Sequence, residues 1–457
     1  MFSSFLYQRS PIRMQEALIG ARERMRMALR EGRRFRNVLA EIDRTQWLEP
    51  GVFSELQRER VVGVIHHASQ FVPFYRDLFS KNGWIPGDFN SLEDIKRLPI
   101  ITKQDILRDP DKFISRQKSG LRHHISTSGT TGTPLLLTEN LSAIVRENAF
   151  IWRHYAWAGF ERGQRRVWLR GDMIVPIEQS SQPFWRYNRP ANTLMMSSYH
   201  ISTHSANAYI EAIEAFDPHL VLAYPSSIGV LANVLEGQHR RYRGKNLRSI
   251  ITSSEMLTQT QRTNIEGRFQ CRLFDHYGSS ERVAIIGTCE AGNYHVEPDY
   301  SYVEYEDCGD GTRAIIGTGF NNFAMPLIRY AVGDRIVGDV KDTKCECGRY
   351  MPRVDSIEGR LDDYVLTRDG RHIGRLDHIF KGVQNVVEAQ IRQDRIGEVV
   401  ILVTPASAFS PDDARRIVSN AEERIGGGTE ITLEIVHAIP RGPNGKFLAV
   451  VRNANVQ

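Results

Sequence analysis

The stretch SIITSSEMLTQTQRTNIEGRFQCRLFDHYGSSE, residues 249–281, sets the fold. An apolar run, Ile250 and Ile251, ends in the polar turn Ser253-Ser254-Glu255. A polar helical stretch follows, then a second apolar run, Leu273-Phe274, which ends in Tyr277-Gly278-Ser279-Ser280-Glu281. The same beat occurs upstream in RRVWLR (165–170) and HLVLAYP (219–225). Short strands alternating with helices predict an α/β fold built on a layered, largely parallel sheet. In such sheets ligands gather where strands end, so the polar turns after these runs are the first candidates for a site.

Working outward, residues 11–36 and 53–79 have helical spacing, and 140–160 is a long helix rich in aromatics. LPIITK (98–103) is a short linker strand, and strands with Gly-Asp turns dominate from about 294 to 340. The polar stretch GRLDDYVLTRDGRHI (359–373) separates this from a compact end. There EVVILVTP is a strand, Ser410 caps a helix that begins Pro411-Asp412-Asp413, and TEITLEIVHAI is a strand before the loop RGPNGK. Proline and acids in a first turn after serine suit helix capping and the helix dipole. The expected domains are an N-terminal basic helical segment (1–52), a large α/β domain (53–361) and a small α+β domain (362–457) joined by a hinge.

The chain has 457 residues, more than one core usually serves. At 41% hydrophobic and 25% charged it is an ordinary globular protein, which excludes disordered, collagen-like and coiled-coil classes. No run approaches the roughly 20 apolar residues of a membrane helix, and the start lacks a secretory pattern, so a cytoplasmic location is expected. The net charge of +5 is uneven. Residues 1–36 hold nine arginines against Glu16, Glu23 and Glu31, which leaves the rest near neutral and gives no support to nucleic-acid binding. Met14, Leu18, Ala21, Met25, Ala28 and Leu29 recur on one face of the first helix, and Arg22, Arg26, Arg30 and Arg33 form a stripe elsewhere. A helix docked on the body with a solvated basic face is the plainer expectation; contact with a membrane surface or a partner is the sharper one.

The most informative loop is Ser126-Thr127-Ser128-Gly129-Thr130-Thr131-Gly132-Thr133-Pro134. Its hydroxyls and glycine-freed N–H groups could wrap phosphate oxygens, or it could be a plain linker. It is not a Walker loop, since no G-x-x-x-x-G-K-[ST] occurs. After it come SSEML (253–257), DHYGSSE (275–281), RYAVGD (329–334), GRLDD (359–363) and NGKF (444–447). That ordered set resembles the adenylate-forming superfamily of acyl-CoA synthetases, adenylation domains and luciferases. Within it, the chain is most similar to the phenylacetate–CoA ligase group. SPIRMQ, VPFYRDLF, LPIITK and GRLDHIFKGVQNVVEAQ resemble its capsule polysaccharide biosynthesis branch.

The resemblance implies AMP-forming activation of a carboxylic acid with ATP and Mg²⁺, then transfer to CoA. It places ATP on Thr127, Ser128, Gly129, Thr130, Thr131, Gly132 and Thr133. It adds Ser253, Ser254, Glu255, His276, Tyr277, Gly278 and Ser280, with Tyr277 offering a face for adenine. It makes Asp334 the ribose acceptor, Glu281 the Mg²⁺ ligand, Arg360 a phosphate contact and Asp362 the hinge. Lys446, in the mobile small domain, becomes the lysine bridging carboxylate and α-phosphate. Two departures stand out: Ala331 and Val332 where a basic residue and threonine often precede Gly-Asp, and Thr133 where many relatives have lysine. Trp152, Tyr155 and Tyr224 are candidates for the acyl pocket, against an ordinary core role. An acyl acceptor that is an amine or hydroxyl is the alternative to CoA, and a nucleotide-binding scaffold without turnover is a reading of another class.

Five cysteines are too few for a disulfide scaffold. Cys289-x₅-His295 and Cys345-x-Cys347-Gly supply three thiolates and one imidazole, a set suited to a closed structural zinc site; the plainer reading is free or buried thiols. Cys271 and Cys308 are expected to be non-ligands.

Overall fold

In the computed structural model the described residues are 5–118, 120–126, 135–201, 205–255, 257, 259–309, 311–358, 364–373, 376–383, 386–405, 409–436 and 450–452. After a single helical turn, Phe5–Gln8, come the helices Ile12–Arg30, Arg33–Thr45, Pro50–Phe71 and Pro73–Asn82. The two long helical stretches of the sequence are thus each split. Gly32 caps the second helix in extended conformation, and Pro73 takes the first position of the fourth, where its missing N–H costs nothing.

A nine-stranded sheet forms the centre. From one edge it runs Arg353–Val354, Tyr294–Val296, Ile285–Thr288, Arg272–Gly278, Ser249–Ser253, Leu220–Ala223, Arg166–Arg170, Thr193–Ser197 and Trp185–Asn188. The five strands from Arg272–Gly278 to Thr193–Ser197 are parallel; the others are antiparallel. Both faces are covered, which is why the parallel strands read as continuous apolar runs. Val167, Leu169, Val221, Ala223, Ile250 and Leu273 pack with Ala206–Phe216, Pro225–Gly237 and Gln259–Phe269. Leu220, Leu222, Ile251 and Phe274 pack with Tyr155 and Trp157 of helix Leu141–Trp157.

A second sheet orders Ser301–Asp307, Thr312–Gly319, Tyr330–Val337 and Ser356–Glu358. Its core includes Ile286 and Val283, so it leans on the edge of the first. Beyond 364 comes a separate core. Strands Glu430–Ile435, Glu398–Pro405, Val386–Arg395 and Val450–Arg452 carry helix Pro411–Ile425, capped by Ser410 as its sequence predicts. The strand Val386–Arg395 was not foreseen. Ile177, Tyr199 and Met173 of the larger body meet this unit. Arg424, almost wholly buried, stacks on the Tyr199 ring at 4.3 Å and donates to its hydroxyl, which donates to Gly171 O at 2.6 Å.

Candidate active site

The parallel strands end together. Leu169 pairs with Ala223, Ala223 with Thr252 and Ser253 with His276, so Gly171, Tyr224, Ser254 and Tyr277 follow one edge. There the two sheets supply groups to one place. The Tyr277 hydroxyl donates to Asp334 Oδ2 at 2.8 Å, and the Tyr330 hydroxyl donates to Glu281 Oε1 at 3.2 Å. Three residues expected to hold adenine, ribose and Mg²⁺ therefore converge.

Local sequence explains the placement. A side chain at Gly317 would stand 2.3 Å from Val283 O, so only glycine lets the turn after Gly278 settle onto the second sheet. Arg282 is anchored by ion pairs to Glu139 and, at 2.8 Å, to Glu147. In RYAVGD the ladder register shifts opposite Ala314 and Ile316, and Gly333 takes φ +88°. Such a bulge re-aims a side chain, here Asp334. Ile101 docks beside Tyr330 through Ile101 N–H to Arg329 O and Ala331 N–H to Ile101 O, both 2.9 Å. This delivers Lys103, at the start of a helix capped by Thr102, within electrostatic reach of Glu281. Burial pushes the Glu281 carboxyl up. Asp334 acts in the same direction, while hydrogen bonds from its own backbone and Tyr330, and the Lys103 ammonium, oppose it. A desolvated carboxylate beside a second carboxylate suits a hard divalent cation.

Lys103 and Tyr330 were not singled out from the sequence. Lys103 was only the end of LPIITK. Tyr330 had a signal, since it stands in the same motif as Asp334.

The other expected nucleotide residues divide. Ser253 is buried at its strand end with Oγ 3.3 Å from Ser254 Oγ, and Ser254 has φ +69°. Gly278 and Ser280 are exposed at the turn. His276 faces inward, its ring 5.2 Å from His154, and burial pulls its pKa down to about 4, with Arg170 adding to the effect. His276 Nε2 and Ser279 Oγ are buried without a hydrogen-bond partner among the described residues. Glu255 turns elsewhere: both its oxygens accept from Ser226, N–H at 2.8 Å and O–H at 2.9 Å. It caps helix Pro225–Gly237, a favourable place for an anion. Thr127–Thr133, Arg360, Asp362 and Lys446 lie outside the described residues.

The three aromatic candidates do not form one pocket. Trp152 and Tyr155 pack on Phe160 and on the guanidinium of Arg166, the first residue of its parallel strand. Tyr224 follows the last residue of the neighbouring strand, at the opposite edge. Helical spacing in the aromatics marks core packing here.

The cysteine cluster is assembled. The ligand atoms of Cys289, His295, Cys345 and Cys347 all lie within 4.8 Å of one another. Cys289 Sγ is 3.9 Å from Cys345 Sγ, and Cys347 Sγ is 3.4 Å from His295 Nε2. A tetrahedron with the usual zinc–sulfur and zinc–nitrogen lengths has edges of about 3.8 Å and about 3.5 Å, so the donor set fits. His295 Nδ1 is 3.0 Å from Met351 O, which leaves Nε2 for a metal. A thiol hydrogen bond from Cys289, then His295, holds Cys347 well below the usual thiol range. Around it, Arg349 stacks on Trp157 and Trp47, pairs with Glu290 at 2.5 Å and donates to Gln46 at 3.0 Å, tying the end of helix Arg33–Thr45 to the cluster. Cys271 and Cys308 stand outside the group.

Comparison with known proteins is consistent with this geometry. Residues 365–453 match the model of the CapK C-terminal domain. Protein CapK of Staphylococcus aureus is 27% identical over 454 residues, 98% of this chain and 99% of that protein. Phenylacetate–coenzyme A ligase of Escherichia coli (strain K12) is 26% identical over 433 residues, covering 88% and 95%. Among solved structures, 2-hydroxyisobutyryl-CoA ligase in complex with 2-HIB-AMP and CoA superposes with a TM-score of 0.59 at 18% identity, over 90% of this chain and 92% of that one, a likeness of fold.

Proposed function

We propose that the chain is an adenylate-forming enzyme, supported by its likeness to Protein CapK and to the phenylacetate–coenzyme A ligases, and that it joins a carboxylic acid to AMP and passes the acyl group on, with CoA as the acceptor. The observation that carries the reading is the meeting of Tyr277, Asp334, Glu281 and Tyr330 at the strand ends. A substrate carboxylate oxygen attacks the α-phosphorus of ATP, the bond to the β-phosphate oxygen breaks, and pyrophosphate leaves. Tyr277 supplies a face for adenine, and Asp334 accepts from ribose hydroxyls. Glu281 would hold Mg²⁺, which neutralises phosphate charge when bound. The 127–133 loop, Arg360 and Lys446 surround the phosphates, and Lys446 bridges the reacting groups. Asp362 is the hinge for residues 362–457. Cys289, His295, Cys345 and Cys347 would hold a structural zinc, with no chemistry of its own.

ATP–pyrophosphate exchange over a panel of aryl, fatty, hydroxy and amino acids, with and without CoA, tests the proposal. Exchange with one acid class plus thioester on adding CoA is expected. Exchange without thioester would assign the acceptor to an amine or hydroxyl, and ATP binding without exchange would overturn the enzyme reading.

A further inference from the structure

The first long helix is docked by the face that the sequence did not favour. Gln15, Ile19, Gly20 and Glu23 are its buried residues. Arg186 Nε donates to Gln15 Oε1 at 2.5 Å, Tyr187 N–H donates to Glu16 Oε1 at 2.9 Å, and Gly20 lies against Pro190. The apolar stripe points the other way. Met14 is 54% exposed, Met25 63% and Leu29 54%, with Ala17, Ala21 and Ala28 exposed between them.

At 100° per residue, Met14, Ala17, Leu18, Ala21, Met25, Ala28 and Leu29 fall within an arc about 120° wide and about 22 Å long. On the same wheel Arg22 flanks one side of this arc, and Arg13 and Arg24 flank the other. All three are exposed, as are Arg33, Arg34 and Arg36 just beyond. The segment's three acids are turned away. Glu16 accepts from Tyr187, buried Glu23 pairs with Arg26 at 2.6 Å, and Glu31 pairs with Arg162. The outer face is therefore apolar along its middle, cationic along both rims, and without an outward acid among the described residues of 5–36.

We propose that this face is a docking surface for an anionic lipid bilayer, with the Met14–Leu29 stripe entering the headgroup region and the flanking arginines meeting lipid phosphates. Charge selects this occupant: an apolar partner protein would not call for cations on both rims with every acid turned inward. No described helix is long and apolar enough to cross a membrane, so the helix lies on the surface. The proposal does not depend on the ligase reading.

Co-flotation of the full chain with vesicles tests it, using phosphatidylcholine alone and phosphatidylcholine with about one third phosphatidylglycerol. The chain should float with the second and not the first, and should detach between about 0.1 M and about 0.5 M salt. Met25→Glu/Leu29→Glu should lower partitioning at least about tenfold, and Arg22→Ala/Arg24→Ala about fivefold per arginine. Met14→Ser, at the far end of the stripe, is a milder second probe, and unchanged Tm confirms that each variant folds. Failure of the wild-type chain to float, or equal flotation of all variants, overturns the proposal. So does a lipid-free dimer that Met25→Glu/Leu29→Glu dissolves, because the occupant would then be a second copy.

Discussion

The cysteine cluster and the strand-end crevice lie on the same central sheet yet are built on opposite terms. At the cluster every donor has a partner: thiol against thiol, His295 held by Met351 O, and Arg349 stacked between Trp47 and Trp157. At the crevice Glu281 is desolvated beside Asp334, and His276 Nε2 and Ser279 Oγ are buried without a hydrogen-bond partner among the described residues. A bracing site can close its own donors around one ion and leave no position open. A site that takes up and releases a charged substrate keeps groups in reserve, at some cost to the empty protein.

The largest expected break in that contrast is Lys446→Ala, which should lower ATP–pyrophosphate exchange by at least roughly a thousandfold, about 4 kcal/mol of transition-state stabilisation, while leaving Tm unchanged. Glu281→Gln should follow with about a hundredfold loss, partly offset by raised Mg²⁺; equal exchange at all Mg²⁺ concentrations would move the metal elsewhere. Cys345→Ser should behave in the opposite way. It should purify without the roughly one zinc per chain expected of the parent, and melt about 5 °C lower, yet retain most of its exchange rate well below that Tm. A metal-free parent of equal stability would refute the zinc site.

The smallest effect is on acid tolerance. His276 has a folded pKa of about 4 against the ordinary 6.5, so it is neutral when folded and takes up a proton on unfolding. Its contribution is present above pH 6.5 and is lost as pH falls from 6.5 towards 4. His276→Phe should flatten this decline, measured as a difference of about 2–3 °C in the Tm loss between pH 7 and pH 5.

Much of the centre was legible because parallel strands buried on both faces show as plain apolar runs ending in polar turns. Val386–Arg395 was not, since its sequence VVEAQIRQDR alternates with polar residues and ends in charge, although buried Ala389 and Ile391 give it a core face. The cysteine cluster could be read from spacing because thiolate and imidazole chemistry is narrow. Glu255 was expected at the nucleotide by resemblance, yet a carboxylate after a strand can equally face the N–H groups of a neighbouring helix, and only the fold puts Ser226 there. Helical periodicity found the apolar stripe of the first helix but not its docking partner: Gln15 and Glu16 dock because Arg186 and the Tyr187 N–H satisfy them, which no pattern within the helix encodes.

Arg424 carries a mechanical consequence. Burial pulls its guanidinium down to about 9, with the Asp172 charge opposing, because the cation is held away from water; stacking on Tyr199 and the hydroxyl chain to Gly171 engage it there. Lifting the C-terminal unit trades that stacking and packing for hydration, two terms of opposite sign. If the unit turns about the proposed hinge, such a contact would act as a detent: it would hold the docked position and yield to a modest push.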